Sequence, residues 1–208
     1  KRIQWHTLSV PRGGEYKLVL ADGTRVWLNA ASELMYPDHF SADQRKVVLK
    51  GEAYFEVTKD VKRPFSVVLG DMEVKVLGTS FNVSAYPGVK RQTTLIEGQV
   101  AVNWHRQQVV IRPGQQAAET DEGLRVASVN VMNYVGWKEH RFVYENKLLG
   151  EVLEDLERWY DVEVFVMHDE IRNLHLTANL PRYENMDKVL EIIEYAACVK
   201  FEVKGRTV

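Results

Sequence analysis

Four times between Gly51 and Gln116 a glycine stands beside a short stretch in which apolar and polar residues alternate. The stretches are Gly51-Glu52-Ala53-Tyr54-Phe55-Glu56-Val57, Gly78-Thr79-Ser80-Phe81-Asn82-Val83, Glu97-Gly98-Gln99-Val100-Ala101-Val102 and Pro113-Gly114-Gln115-Gln116. Glycine accepts the left-handed or strained backbone that tight corners demand, so each stretch reads as a corner leading into a strand. Such a chain folds into a scaffold of short strands. The device itself offers no reaction chemistry.

The period of two extends from about Thr7 to Val126. Tyr16-Leu18-Leu20, Val26-Leu28, Val47-Leu49, Val74-Val76, Val100-Val102-Trp104 and Val109-Ile111 all alternate with polar neighbours or form short apolar runs. Ten of the 13 glycines and five of the six prolines fall in this half, spaced like corners. No stretch here supports a helix of three turns. Residues 1–130 are therefore expected to be all-β, as a short-strand sandwich or a coiled, solenoid-like ladder.

After about Asn130 the period changes to 3.6. Leu148, Leu149, Val152, Leu153, Leu156, Trp159 and Tyr160 make one apolar helical face opposite Glu151, Glu154, Asp155, Glu157 and Arg158. Asn146 is the expected N-cap, and Val162–Val166 the strand that follows. A second copy runs from Asn185 as cap through Met186, Val189, Leu190, Ile193 and Ala197 to a strand at Val199–Val203. The copies align at an offset of 37: Val152-Leu153-Glu154 on Val189-Leu190-Glu191, Glu157 on Glu194, Val162 on Val199, Val166 on Val203. Strand candidates Arg141–Tyr144 and Leu174–Thr177 precede the helices. Residues 131–208 thus read as a doubled strand–helix–strand, a small α+β domain.

With 208 residues, 45% hydrophobic and 27% charged, the chain has the makeup of a globular protein. Its apolar runs are too short to span a bilayer, and no signal segment opens it. The net charge of −2 divides into 17 basic and 14 acidic groups in residues 1–130 and 10 and 15 in residues 131–208. Neither half has the concentrated basic patch that a nucleic-acid partner requires. The single cysteine, Cys198, excludes an intrachain disulfide and a thiolate zinc cage; at the end of an apolar helix it is expected to be buried.

The chemical motifs are few. His168 and His175 bracket Asp169 and Glu170, but no histidine pair has metalloprotease spacing, so no metal or cofactor is expected. Glu52 and Glu56 share a strand face and read as solvated. No serine stands in a Gly-x-Ser-x-Gly elbow, and no phosphate-binding glycine loop occurs. Trp5, Trp27, Trp104, Trp137 and Trp159 are scattered; Trp27 and Trp159 fall in core-like patterns. A carbohydrate-binding β-sandwich is the alternative from another class.

Val10-Pro11-Arg12-Gly13-Gly14, Leu20-Ala21-Asp22-Gly23-Thr24-Arg25-Val26-Trp27-Leu28-Asn29, Ser32 to Pro37 and the four glycine segments together resemble the periplasmic region of FecR-type anti-sigma regulators. The likeness continues to about Val203. The doubled C-terminal unit is similar to the small signalling fold of secretins and transducing outer-membrane transporters. The resemblance implies a single-pass inner-membrane protein whose anchor and cytoplasmic helical domain lie upstream of Lys1. It also implies two partners: the signalling domain of a TonB-dependent transporter, and a cytoplasmic sigma factor. Gly78-Thr79 matches the step at which some such regulators cleave themselves, and no other catalytic residue is expected. An edge of the small sheet is expected to dock the transporter, with Phe142, Tyr144, Leu174 and Leu176 as the candidate contacts.

Overall fold

A computed structural model describes residues 2–208. They divide into two compact units, one comprising the chain up to Pro11 with Glu15–Val131, the other Arg12–Gly14 with Met132–Val208. Among the described residues no helix is long and apolar enough to cross a membrane.

The first unit contains thirteen strands: β1 Trp5–Val10, β2 Tyr16–Val19, β3 Arg25–Leu28, β4 Ser32–Pro37, β5 Arg45–Glu56, β6 Phe65–Leu69, β7 Met72–Val76, β8 Ser80–Ala85, β9 Gln92–Glu97, β10 Val100–Trp104, β11 Gln107–Ile111, β12 Gln115–Thr120 and β13 Gly123–Ser128. The twelve-residue β5 belongs to two sheets. Its first half pairs with β4 and β6 and continues through β7 and β10 to β11; its second half pairs with β3 and β8 and continues through β9 and β12 to β13. Every pairing in this unit except β5–β6 is antiparallel, which argues against a solenoid-like ladder, and β5 joins the two sheets around one core.

Alternation builds the core. Val47, Leu49, Val67, Val74, Val100, Val102 and Ile111 from one sheet meet Val26, Leu28, Ala53, Phe55, Phe81, Val83 and Leu95 from the other, all buried. Phe55 stacks on Phe81 with centroids 5.2 Å apart. Burying each such side chain stabilises the fold by roughly 1.5–3 kcal/mol relative to exposure.

The second unit contains α1 (Met132–Val135) and a 3-10 turn (Gly136–Glu139), then β14 (Arg141–Leu148), α2 (Leu149–Tyr160), a 3-10 turn (Asp169–Asn173), β15 (His175–Pro181) and α3 (Met186–Ala197). β14 and β15 form an antiparallel sheet with a bulge between Tyr144 and Lys147. The two longer helices match residue for residue at the offset of 37, and the match extends beyond them. Asp161 and Cys198 both end their helices in the left-handed region, each at φ 55°. Glu157 Oε1 accepts the N–H of Val164 at 2.8 Å, and Glu194 Oε1 that of Phe201 at 2.7 Å.

Several details depart from the sequence reading. The segments after the helices are not full strands. Glu163 bridges Thr207 in parallel, with N–H bonds from Glu163 to Arg206 O and from Phe165 to Val208 O, while 199–203 joins no strand. Asn185 caps α3, accepting the N–H of Asp187 at 2.8 Å, but α2 is entered from Leu148 without a side-chain cap. Asn146 lies instead in the bulge, at φ 52°. Cys198 is exposed, because the left-handed cap turns it off the buried helix face.

The Glu194 clamp has a pH signature. Accepting the Phe201 N–H, with Lys200 Nζ at 3.2 Å, holds its carboxyl below the ordinary 4.5. A depressed folded-state value means the contact is complete above 4.5 and is lost as pH falls through the lower folded value. Hydrogen exchange should find the Phe201 amide still protected at pH 4.5 and unprotected in stronger acid. Equal exchange at both acidities would show the clamp absent.

Candidate docking edge and processing step

The small sheet has an inner face and an open edge. Phe142, Tyr144 and Leu176 all point inward and are buried at 5%, 4% and 2% exposure. Phe142 and Tyr144 stack at 5.9 Å, and Phe142 also meets Tyr160 at 6.3 Å. These three candidate contacts are therefore core residues, not outward anchors. Their alternation with Val143 was visible, but which set faces the helices depends on the register with β15. Only Leu174 is open, at 39% exposure, and its carbonyl accepts the N–H of Leu149 at 2.7 Å.

Beneath the sheet a charge cluster ties β14 to α2. Burial opposes the ionised Asp155, but Lys147 Nζ and Arg158 Nη2, each at 2.7 Å, outweigh it and hold the carboxyl below its ordinary value. Burial, reinforced by the Asp155 charge, raises the Tyr144 phenol well above 10.0. The Tyr160 phenol is pushed up to about 12 by burial and by Glu184. Both phenols stay neutral at ordinary pH.

The edge belongs to β15. Leu149 N–H bonds to Leu174 O, and Arg182 N–H to His140 O, which sets the parity of the ladder. The main-chain groups of even-numbered residues of β15 face β14, so those of His175, Thr177 and Asn179 face away from it, and the Asn179 carbonyl accepts from Arg141 Nη2 at 3.2 Å. Their side chains are exposed as well. The sequence reading missed these three residues, although the polar alternation His175-Leu176-Thr177-Ala178-Asn179 was a usable signal. Pro181 ends the edge, where a missing N–H is tolerated.

Gly78 and Thr79 lead into β8. Thr79 is buried, and its hydroxyl donates to Gln99 O at 3.1 Å. Glu52 is half-buried, not solvated: its two oxygens accept from Asn29 Nδ2 at 2.7 Å and Asn82 Nδ2 at 2.9 Å. Glu56 pairs with Arg25. His168 precedes the second 3-10 turn and His175 opens β15; among the described residues no group of three or more side chains is arranged to hold a metal ion. Lys17 Nζ lies 4.5 Å from the ring of Trp27, and Trp159 is buried with its Nε1 donating to Arg182 O at 2.6 Å.

The model of the FecR protein family matches residues 6–101, and that of the FecR C-terminal region matches residues 141–208. Two crystal structures of a candidate anti-sigma factor from Parabacteroides distasonis ATCC 8503, at 1.65 and 2.50 Å, are similar to the chain. They are 27% and 26% identical, with TM-scores of 0.90 and 0.91. The matches cover 97% and 98% of this chain and 96% and 97% of theirs. No curated protein matches. With one family's models matching both the sandwich and the doubled unit in order, the chain belongs to the FecR family.

Proposed function

We propose that the chain is the envelope-facing part of a transmembrane anti-sigma regulator. Its C-terminal unit docks the signalling domain of an outer-membrane TonB-dependent transporter, and a domain outside residues 1–208 holds the cytoplasmic sigma factor. The chain acts by binding and turns over no external substrate. The likeness to candidate anti-sigma factors over nearly the whole chain supports the regulatory role. The observation that carries docking is the β15 edge, where the outward main-chain groups of His175 and Thr177 can be completed by a partner strand, the Asn179 carbonyl being held by Arg141. A sandwich fold alone gives sugar binding no comparable support.

The same reading includes processing at Gly78-Thr79. The Thr79 hydroxyl would attack the Gly78 carbonyl carbon. The C–N bond breaks as the hydroxyl proton passes to the departing Thr79 amine, leaving an ester. Water then hydrolyses the ester to a Gly78 carboxylate and a new amino terminus at Thr79. Gly78 has no side chain to obstruct attack. In the closed structure, however, the hydroxyl is engaged by the Gln99 carbonyl, which takes no proton.

A sigma-dependent reporter tests the relay. Cells carrying the intact regulator should respond to the transporter's ligand, and cells lacking residues 138–208 should not. A retained response would place the contact outside the C-terminal unit.

A further inference from the structure

The segment Thr58–Arg63, between β5 and β6, runs across the Gly78-Thr79 step. Val57 N–H donates to Thr79 O at 2.9 Å and Asp60 N–H to Leu77 O at 2.8 Å, one on either side of the step. Lys59 lies between them, so close that a Cβ on Gly78 would come within 2.7 Å of Lys59 Cα. From the opposite side Gly98 closes the gap: a Cβ there would meet Gly78 O and Thr79 Oγ1 at 2.9 Å each. The peptide is covered on two sides.

One side chain holds this strap down. Arg45 donates from Nε to Arg63 O at 2.8 Å, and from Nη1 to Thr58 O at 2.7 Å. Its Nη2 lies 3.5 Å from Asp60 O. The guanidinium is fully buried and pairs with Asp22 Oδ2 at 2.8 Å. The planar fork, with five donors, can hold carbonyls spread along a turn as a lysine cannot. The strap's own turn is closed separately, because Asp60 Oδ1 accepts the N–H groups of Lys62 and Arg63.

We propose that Asp22 and Arg45 form a latch that keeps the strap closed over Gly78-Thr79, so that processing waits on its release. This rests on the reading that Gly78-Thr79 is the processing step. Release would free the step on its strap side, since the Asp60 bond to Leu77 O and the Lys59 contact with Gly78 are made through the strap, while Gly98 stays against the Gly78 carbonyl oxygen.

The full chain carrying Asp22→Asn with Arg45→Met tests the latch. This neutral pair leaves no unpaired buried charge. Timed trypsin digestion under native conditions is read by mass spectrometry. Lys62 reports the strap, and Arg106, in the exposed turn between β10 and β11, reports the rest of the sandwich. Cleavage of a closed segment follows the population of its open form, so Lys62 should be cut about tenfold faster in the variant. Arg106 should be cut at its wild-type rate. A new amino terminus at Thr79 should accumulate, and adding Thr79→Ala should abolish it. An unchanged rate at Lys62, or equal acceleration at Lys62 and Arg106, overturns the latch. Faster cutting at Lys62 without a Thr79 terminus keeps the latch and removes Gly78-Thr79 as a processing step. If the double variant does not fold, Arg45→Lys keeps the charge beside Asp22, loses the fork and gives the same comparison.

Discussion

Arg45→Ala is expected to lower the unfolding free energy by about 3–5 kcal/mol, the typical cost of removing one partner of a buried ion pair. The Arg45 side chain is 0% exposed and that of Asp22 6%, so the stranded carboxylate gains little from water. The Thr58 and Arg63 carbonyls lose a charged donor at the same time. Asp22 still accepts from the N–H and hydroxyl of Thr24, which limits the damage to the ion pair itself. A urea titration should show a lower midpoint at unchanged slope, because the surface exposed on unfolding is the same. A loss below about 1 kcal/mol, the worth of an exposed pair, would mean that the site is far wetter than its burial implies.

Gly51→Ala should also be severe. Gly51 stands where β5 passes from one sheet to the other, at φ 89°, and its Cα faces Ser32. A Cβ there would lie 2.4 Å from Ser32 Oγ and 2.7 Å from Ser32 Cα. The second contact is with backbone and cannot be relieved by a rotamer change. The same Ser32 hydroxyl accepts the N–H of Glu52 at 2.8 Å, so pushing it aside also breaks the first bond beyond the crossing. The positive φ costs about 1–3 kcal/mol for a side chain. Forcing atoms into packed space adds about 1–3 kcal/mol. Gly114→Ala is the internal control: φ is 83°, but a Cβ there meets nothing within 4 Å. Gly51→Ala should be clearly the less stable of the two by urea midpoint. Equal losses would mean that φ alone matters and that the Ser32 contact yields freely.

Local pattern made most of this fold readable, and distance along the chain hid the rest. Alternation at Val47-Leu49 and Val100-Val102 placed strands because each strand's buried side is written in its own residues. The helices Leu149–Tyr160 and Met186–Ala197 were equally plain from their apolar faces and their shared offset. What pairs with what was not local. Glu52 looked solvated because its partners, Asn29 and Asn82, lie 23 and 30 residues away. Val162–Val166 has the composition of a strand, but among the described residues it is residues 206–208 alone that bond to its main chain as a strand would. Asn146 has a capping residue's chemistry, but the bulge in β14 claimed it. In the small sheet the strands β14 and β15 were legible and their inward faces were not. A one-residue change of register would have turned Phe142 and Tyr144 outward.

The docking claim is tested most directly by titrating the transporter's isolated signalling domain against the full chain, with wild-type sequence, Thr177→Pro or Thr177→Val. Proline removes the outward N–H at the middle of the β15 edge. Valine keeps that N–H and removes only the hydroxyl, which accepts from Asn146 N–H at 2.9 Å. Losing one main-chain bond and the fit of the strand should weaken binding by about tenfold or more for Thr177→Pro, since about 1.4 kcal/mol is tenfold in affinity. Thr177→Val should bind like wild type. Wild-type affinity in the proline variant would contradict docking on β15.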